Sequence, residues 1–239
     1  MSAHPSLDPS VVRWSVPASE RGDRPVLLLL HGYGSDEHDL FGLVPYLPDA
    51  FVVASVRAPL APPWPMPGAS WYAIEGLDGR DPGAVSLAAQ SVLAWIREAV
   101  GDAPVGLLGF SQGGAVALQT LRTAPDAVSF AVVLAGYAAG GELPGDALLA
   151  ERRPPVFWGR GAADDVIPAA LVDQTAQWLP AHSELSGRVY PGLTHSISPD
   201  ELDDVRAFLD ARLADRNAPG AKGDVTAMPV PPSNAPTDS

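Results

Sequence analysis

Residues 105–118 read Val-Gly-Leu-Leu-Gly-Phe-Ser-Gln-Gly-Gly-Ala-Val-Ala-Leu. The first six form a continuous apolar run, the pattern of a strand buried on both faces of a parallel sheet. The residues from Gly114 to Leu121 read as a helix. Between the two lies Gly109-Phe110-Ser111-Gln112-Gly113, a G-x-S-x-G pentapeptide. A chain that passes from strand to helix this quickly makes a sharp turn. Such a turn forces Ser111 into a strained backbone conformation and needs small neighbours. The hydroxyl then stands above the sheet, at the positive end of the following helix. The plain alternative is an ordinary strand–helix turn, because Gly and Ser are common in turns. The flanking elements are what favour a nucleophile elbow.

Similar elements lie to either side. Strands are expected at Val11–Val16, Val26–Leu30, Phe51–Val56, Phe130–Ala135, Val156–Trp158 and Arg188–Tyr190. Helices are expected at Ser86–Val100, Gln112–Thr123, Ala169–Leu179 and Ser198–Asp215. The last opens Ser198-Pro199-Asp200-Glu201, the signature of a capping box. Strand–helix alternation with right-handed crossovers gives an α/β fold with one doubly wound, mostly parallel sheet. No internal repeat is visible. Pro59–Gly68 holds five prolines and must be a loop. The expected organisation is an N-terminal segment with a short strand over 1–24, a catalytic domain over 25–216, and a disordered Pro/Ala-rich tail over 217–239.

Composition narrows the function. The chain has 239 residues, 46% of them hydrophobic, enough for a substantial core. It has no cysteine, which removes disulfides, thiolate metal sites and a cysteine nucleophile together. A formal net charge of −13 repels nucleic acid and anionic lipid but not a neutral ester. Residues 1–20 hold Pro5, Pro9 and Pro17 and no apolar stretch of the secretory kind. No apolar run is long enough to span a membrane. The expectation is a soluble, cytoplasmic protein with no stable membrane insertion. Exposed apolar residues would suit a homodimer face, but the sequence does not locate one.

A serine hydroxyl becomes a nucleophile when a base takes its proton. Around a G-x-S-x-G elbow the chain order is Ser, acid, His, which leaves His182 and His195 as candidate bases. Functional groups sit on loops leaving the C-terminal ends of parallel strands. His195 follows the strand Arg188–Tyr190 and lies on that edge. His182 precedes the strand and lies on the other, as a solvated residue. The acid is expected in the loop after Val156–Trp158, where Asp164 and Asp165 are equally placed. Asp173 reads as a helix surface charge. An oxyanion hole needs two backbone N–H donors. Gln112, next to the nucleophile, provides one, and Tyr33 in His31-Gly32-Tyr33-Gly34 the other. His31 precedes the nucleophile and is expected to shape its own loop. No cofactor is implied. No metal is either, since no histidine pair has ligand spacing.

Together these residues resemble the carboxylesterase/phospholipase family that includes the acyl-protein thioesterases. The matching pieces are Leu30-His31-Gly32-Tyr33-Gly34-Ser35-Asp36, Arg57-Ala58-Pro59, Ser70-Trp71-Tyr72, Gly109-Phe110-Ser111-Gln112-Gly113-Gly114, Asp164-Asp165-Val166-Ile167-Pro168 and Gly192-Leu193-Thr194-His195-Ser196. The resemblance runs from about Pro25 to Arg212. It implies an α/β-hydrolase without a large cap, with Asp164 as the acid, and it supports His195, Tyr33 and Gln112 in their roles. It implies attack of Ser111 on an ester or thioester carbonyl and release of an acyl-enzyme by water. Ala73 stands where the family often has an aspartate, and Gly140–Glu151 replaces a loop that can line the acyl site.

An apolar substrate wall is expected from Trp64, Met66 and Trp71, with Val166 from the acid loop. The bland alternative for the first three is a Pro-rich crossover packed on the sheet. The compact chain favours short- to medium-chain acyl esters. Thioesterase or lysophospholipase action on longer chains is the alternative, and a non-catalytic binding protein on a hydrolase scaffold is the alternative of another class. A dienelactone hydrolase would need a cysteine nucleophile, and a dehalogenase a carboxylate at position 111.

Overall fold

The computed structural model describes residues 5–74 and 80–217; of the tail expected over 217–239, Asn217 instead closes the last helix and 218–239 lies outside the described residues. Strands β1 (Arg13–Trp14), β2 (Val26–Leu30), β3 (Val52–Val56), β4 (Val105–Phe110), β5 (Phe130–Leu134), β6 (Pro155–Gly161) and β7 (Glu184–Tyr190) form one sheet. The helices are α1 (Pro82–Ala99), α2 (Gln112–Thr123), α3 (Pro144–Arg152), α4 (Ala169–His182) and α5 (Pro199–Asn217). The strand order is β1-β3-β2-β4-β5-β6-β7. All neighbours are parallel except β1, which pairs antiparallel with β3.

The continuous apolar runs are strands covered on both faces. Leu28 and Leu30 pack with Trp95 of α1 and Leu118 of α2. Leu27 and Leu29 face the other way, toward Phe208 of α5 and Leu40. Each such leucine contributes about 1.5–3 kcal/mol by leaving water. Strand β2 is central, with β3 on one side and β4 on the other. The winding direction therefore reverses between β2 and β4. The crevice at such a reversal, beyond the C-terminal strand ends, is where open α/β sheets bind ligands.

Several boundaries differ from the expected ones for local reasons. β1 is two residues long rather than six, because the 3-10 turn Pro9–Val11 precedes it and Pro17 follows closely. α1 starts at Pro82, where the Asp81 carboxylate accepts the Gly83 N–H at 2.9 Å and caps the first turn. β7 is longer than expected because it is an edge strand, largely exposed, and so lacks the apolar signature.

α3 occupies a stretch for which no element is expected from the sequence. Pro144 sits in its first turn, where proline needs no N–H partner, and Leu149 is fully buried beneath it. The buried Arg122 of α2 donates to both Asp146 oxygens, at 2.9 and 2.7 Å, and anchors the new helix. No helix among the described residues is long and apolar enough to cross a membrane.

Candidate active site

The pentapeptide after β4 is a sharp elbow. Ser111 has φ 54° and ψ −116°, a conformation that a non-glycine residue adopts only under constraint. The constraint is the crowding around it. A Cβ on Gly109 would lie 2.2 Å from the Gly113 carbonyl oxygen, and one on Gly113 would lie 1.9 Å from that of Leu30. The Ser111 N–H donates to Leu134 O at 2.8 Å, which ties the elbow to β5.

Loops from three strand ends bring the side chains together. The Ser111 hydroxyl donates to His195 Nε2 at 2.8 Å, and His195 Nδ1–H donates to Asp164 Oδ2 at 2.8 Å. The other Asp164 oxygen accepts the N–H groups of Val166 at 2.9 Å and Ile167 at 3.3 Å, so the carboxyl is held from behind. That geometry puts the proton on Nδ1 and leaves Nε2 free to take one from Ser111. Asp165 is exposed. Phe110 packs its ring 4.9 Å from the His195 ring.

The loop after β2 faces the elbow. His31 is buried. It accepts the Ala58 N–H on Nε2 at 3.0 Å and donates from Nδ1 to Gly32 O at 2.7 Å. Burial lowers its pKa, which suits this neutral, loop-bracing tautomer. His182 ends α4 on the opposite edge, bonded to Trp178 O and stacked on the Trp178 ring.

Tyr33, Gln112, Ser111 and His195 line one cavity of about 260 Å³. Gln112 is the first residue of α2, so its N–H is one of the donors a helix start leaves unused. A larger hollow, about 510 Å³, lies at the opposite sheet edge among Pro25, Pro104, Phe130 and Leu213. It contains none of the elbow residues, so chemistry rather than volume identifies the site.

The expected substrate wall is corrected in three of its four members. Val166 lines the cavity, but Trp64, Met66 and Trp71 do not. Trp64 is 93% exposed. Met66 packs its sulfur beside Gly34. Trp71 is fully buried, with Nε1–H donating to His31 O at 2.8 Å. Its backbone N–H donates to Gln112 Oε1 at 2.9 Å, and Gln112 Nε2 donates to Tyr72 O at 2.7 Å. Trp71 and the Gln112 side chain thus lock the loop after β2 to the elbow.

The remaining walls come from Asp39, Ile74, Arg80, Tyr137 and Ile167. Arg80 donates to Val166 O at 3.3 Å and lies 5.5 Å over the Tyr137 ring. Tyr137 and Tyr72 share a hydrogen bond between hydroxyls at 2.5 Å, and burial raises both phenol pKa values. Tyr137 carried a readable signal. It follows β5 on the same sheet edge as the loops after β4 and β6.

An elbow serine on a reversal of a parallel sheet, backed by His and Asp in chain order, defines the α/β-hydrolase class. The phospholipase/carboxylesterase family matches over residues 13–213, and the chain belongs to that family. Acyl-protein thioesterase 1 of Saccharomyces cerevisiae is 34% identical over 115 residues, 44% of this chain and 48% of that protein. Acyl-protein thioesterase 1 of Mycosarcoma maydis is 28% identical over 238 residues, 84% of this chain and 97% of that protein. The matched stretch spans about half the length of the yeast protein and of others among the curated relatives. The crystal structure of the Bacillus cereus carboxylesterase shares the fold, with a TM-score of 0.71 at 20% identity over 84% of this chain and 93% of that one.

Proposed function

We propose that the protein is a serine esterase that hydrolyses short- to medium-chain acyl esters through an acyl-enzyme. The observation that carries this is the relay Ser111–His195–Asp164, with both hydrogen bonds at 2.8 Å, opening into a cavity beside two N–H donors. His195 takes the Ser111 proton as Oγ attacks the ester carbonyl, and Asp164 orients and stabilises the imidazolium. The Tyr33 and Gln112 N–H groups receive the developing oxyanion. His195 returns the proton to the leaving alcohol. A water, deprotonated by the same imidazole, then releases the acid.

The chain-length preference rests on the cavity. At about 260 Å³ it falls just below the ~300–1,000 Å³ of sites that enclose drug-sized ligands. Thioester or long-chain hydrolysis is the second reading, favoured by relatives named acyl-protein thioesterase 1. A long chain would leave the cavity across Val166, which is 49% exposed. A soluble, cytoplasmic location fits either reading.

Labelling by a fluorophosphonate probe tests the mechanism. The wild type should label, and Ser111→Ala should not. His195→Gln should stay folded and lose at least ~10³-fold in kcat. A wild type that resists the probe as fully as Ser111→Ala would falsify the esterase reading. A nitrophenyl ester panel from acetate to palmitate tests the chain length, and a palmitate optimum would decide for the second reading.

A further inference from the structure

Glu201, in the first turn of α5, has no part in the hydrolytic scheme. Its side chain is 1% exposed, and neither carboxyl oxygen has a hydrogen-bond partner among the described residues. A carboxylate in that setting is heavily penalised when charged. The motif Ser198-Pro199-Asp200-Glu201 leads one to expect a reciprocal capping box, and one half of it forms. The Glu201 N–H donates to Ser198 Oγ at 3.2 Å. The other half falls short of hydrogen-bond geometry, and the carboxyl lies against β6. A Cβ on Gly159 would stand 2.2 Å from Glu201 Oε1. Glycine at 159 makes room for this carboxyl, and a larger residue would not.

That contact joins two arms of the active site. β6 runs on into the loop that holds Asp164, and α5 begins four positions after His195. Gly159 O also accepts the Ala135 N–H at 2.8 Å, next to the residue that binds the elbow. The charges around Glu201 are few. On α5, Asp204 lies one turn further on. On β7, the Tyr190 hydroxyl and Arg188 both donate to that aspartate, each at 2.8 Å. From β6, Gly159 and Phe157 bring no charge. Burial and the Asp204 charge push the Glu201 carboxyl up to about 7, against the pull of the nearby Ser198 N–H.

We propose that Glu201 is a positioning residue for His195: uncharged, it seats the first turn of α5 on Gly159, and once ionised it draws away toward the Ser198 N–H and water, shifting the loop that aims His195 at Ser111. The step is a proton exchange with solvent and nothing else. It rests on the reading of His195 as the base. The sign follows from the raised pKa. Seating is nearly complete about a unit below that pKa and is lost as pH rises through about 7.

The test is kcat and KM of the full chain on nitrophenyl butyrate, from about pH 6 to about pH 9, for wild type and Glu201→Gln. Glutamine keeps the size of the side chain and cannot ionise. The wild-type to variant ratio of kcat should fall about tenfold across that range, with no matching change in the ratio of KM. Whatever the base contributes to the pH profile is common to both proteins and cancels. A ratio that is constant with pH overturns the proposal, as does a change carried by KM.

Gly159→Ala gives a second reading, since its Cβ displaces the carboxyl at every pH. A folded variant should lose kcat at the acid end, and wild-type kcat there overturns the proposal. Carbon-13 carboxyl spectra of the wild type need no variant. One glutamate should titrate near neutrality, and its absence overturns the proposal too. If the wild type hydrolyses nothing at any pH, the esterase reading falls and takes this proposal with it. Hydrolysis with a flat ratio removes the role of Glu201 alone.

Discussion

The turn Gly109–Gly113 and the proline-rich stretch Pro59–Trp71 are tied together where the Trp71 N–H donates to Gln112 Oε1 at 2.9 Å, and both are rich in small and apolar residues. In the turn, backbone atoms decide everything. Gly113 sits where any side chain would strike the Leu30 carbonyl, and Ser111 is held at positive φ by packing on all sides. In the proline-rich stretch, local chemistry decides little. Its two tryptophans, seven residues apart, finish at opposite extremes. Trp64 is 93% exposed, and Trp71 is 1% exposed. The small residues that a tight strand–helix turn demands can be read locally, even though the Leu30 carbonyl that crowds Gly113 comes from another strand, whereas the fate of an aromatic depends on which distant surface has room for it.

Substitutions at three positions sharpen the contrast. The largest effect is expected at Gly113→Ala, where a contact of 1.9 Å with backbone cannot relax. Destabilisation of more than about 4 kcal/mol is expected, read as loss of folded protein or a collapse of the denaturation midpoint. A folded, active variant would mean that the elbow is more pliable than its geometry implies.

Trp71→Ala comes next. It empties a fully buried site and removes the indole bond to His31 O. A loss of about 3–5 kcal/mol is expected from urea denaturation. The esterase kcat should fall too, because the loop carrying Tyr33 loses its brace. An effect on KM with kcat intact would instead return Trp71 to the substrate wall.

The smallest effect is expected at Trp64→Ala, within about 0.5 kcal/mol of wild type. Butyrate hydrolysis should be unaffected. A selective rise in KM for the longest nitrophenyl esters would show that long acyl chains do reach this loop.

The candidate site was legible in the sequence to different depths. Ser111 and His195 could be placed on one edge from chain order and strand position, and the structure puts them 2.8 Å apart. Asp164 and Asp165 are adjacent and chemically identical, so spacing alone left both open. The loop geometry separates them, since only Asp164 is backed by the Val166 and Ile167 N–H groups. The role of the Gln112 side chain was invisible. Its partners are backbone atoms of residues 71 and 72 and the Ser70 hydroxyl, some forty positions earlier, and nothing near Gln112 in the chain points to them. No helix is expected from the sequence at α3, where Pro144 and Gly145 stand in the first turn. Proline is acceptable in a first turn, and the Gly145 Cα lies too close to Arg122 O for a side chain.

By itself, then, the sequence determined the parallel sheet, the sharp turn at Ser111 and the sheet edge shared by Ser111, the Asp164-Asp165 pair and His195. These follow from short-range rules: burial on both strand faces, exclusion of side chains at tight turns, and the edge on which each loop emerges. Spacing left the two aspartates open and the family resemblance implied Asp164, which the structure puts 2.8 Å from His195; only the tertiary structure decided which tryptophan is a pillar. It alone showed that the capping-box glutamate lies buried against Gly159. Each of those outcomes depends on the space left by residues distant in the chain, and no local pattern encodes that space.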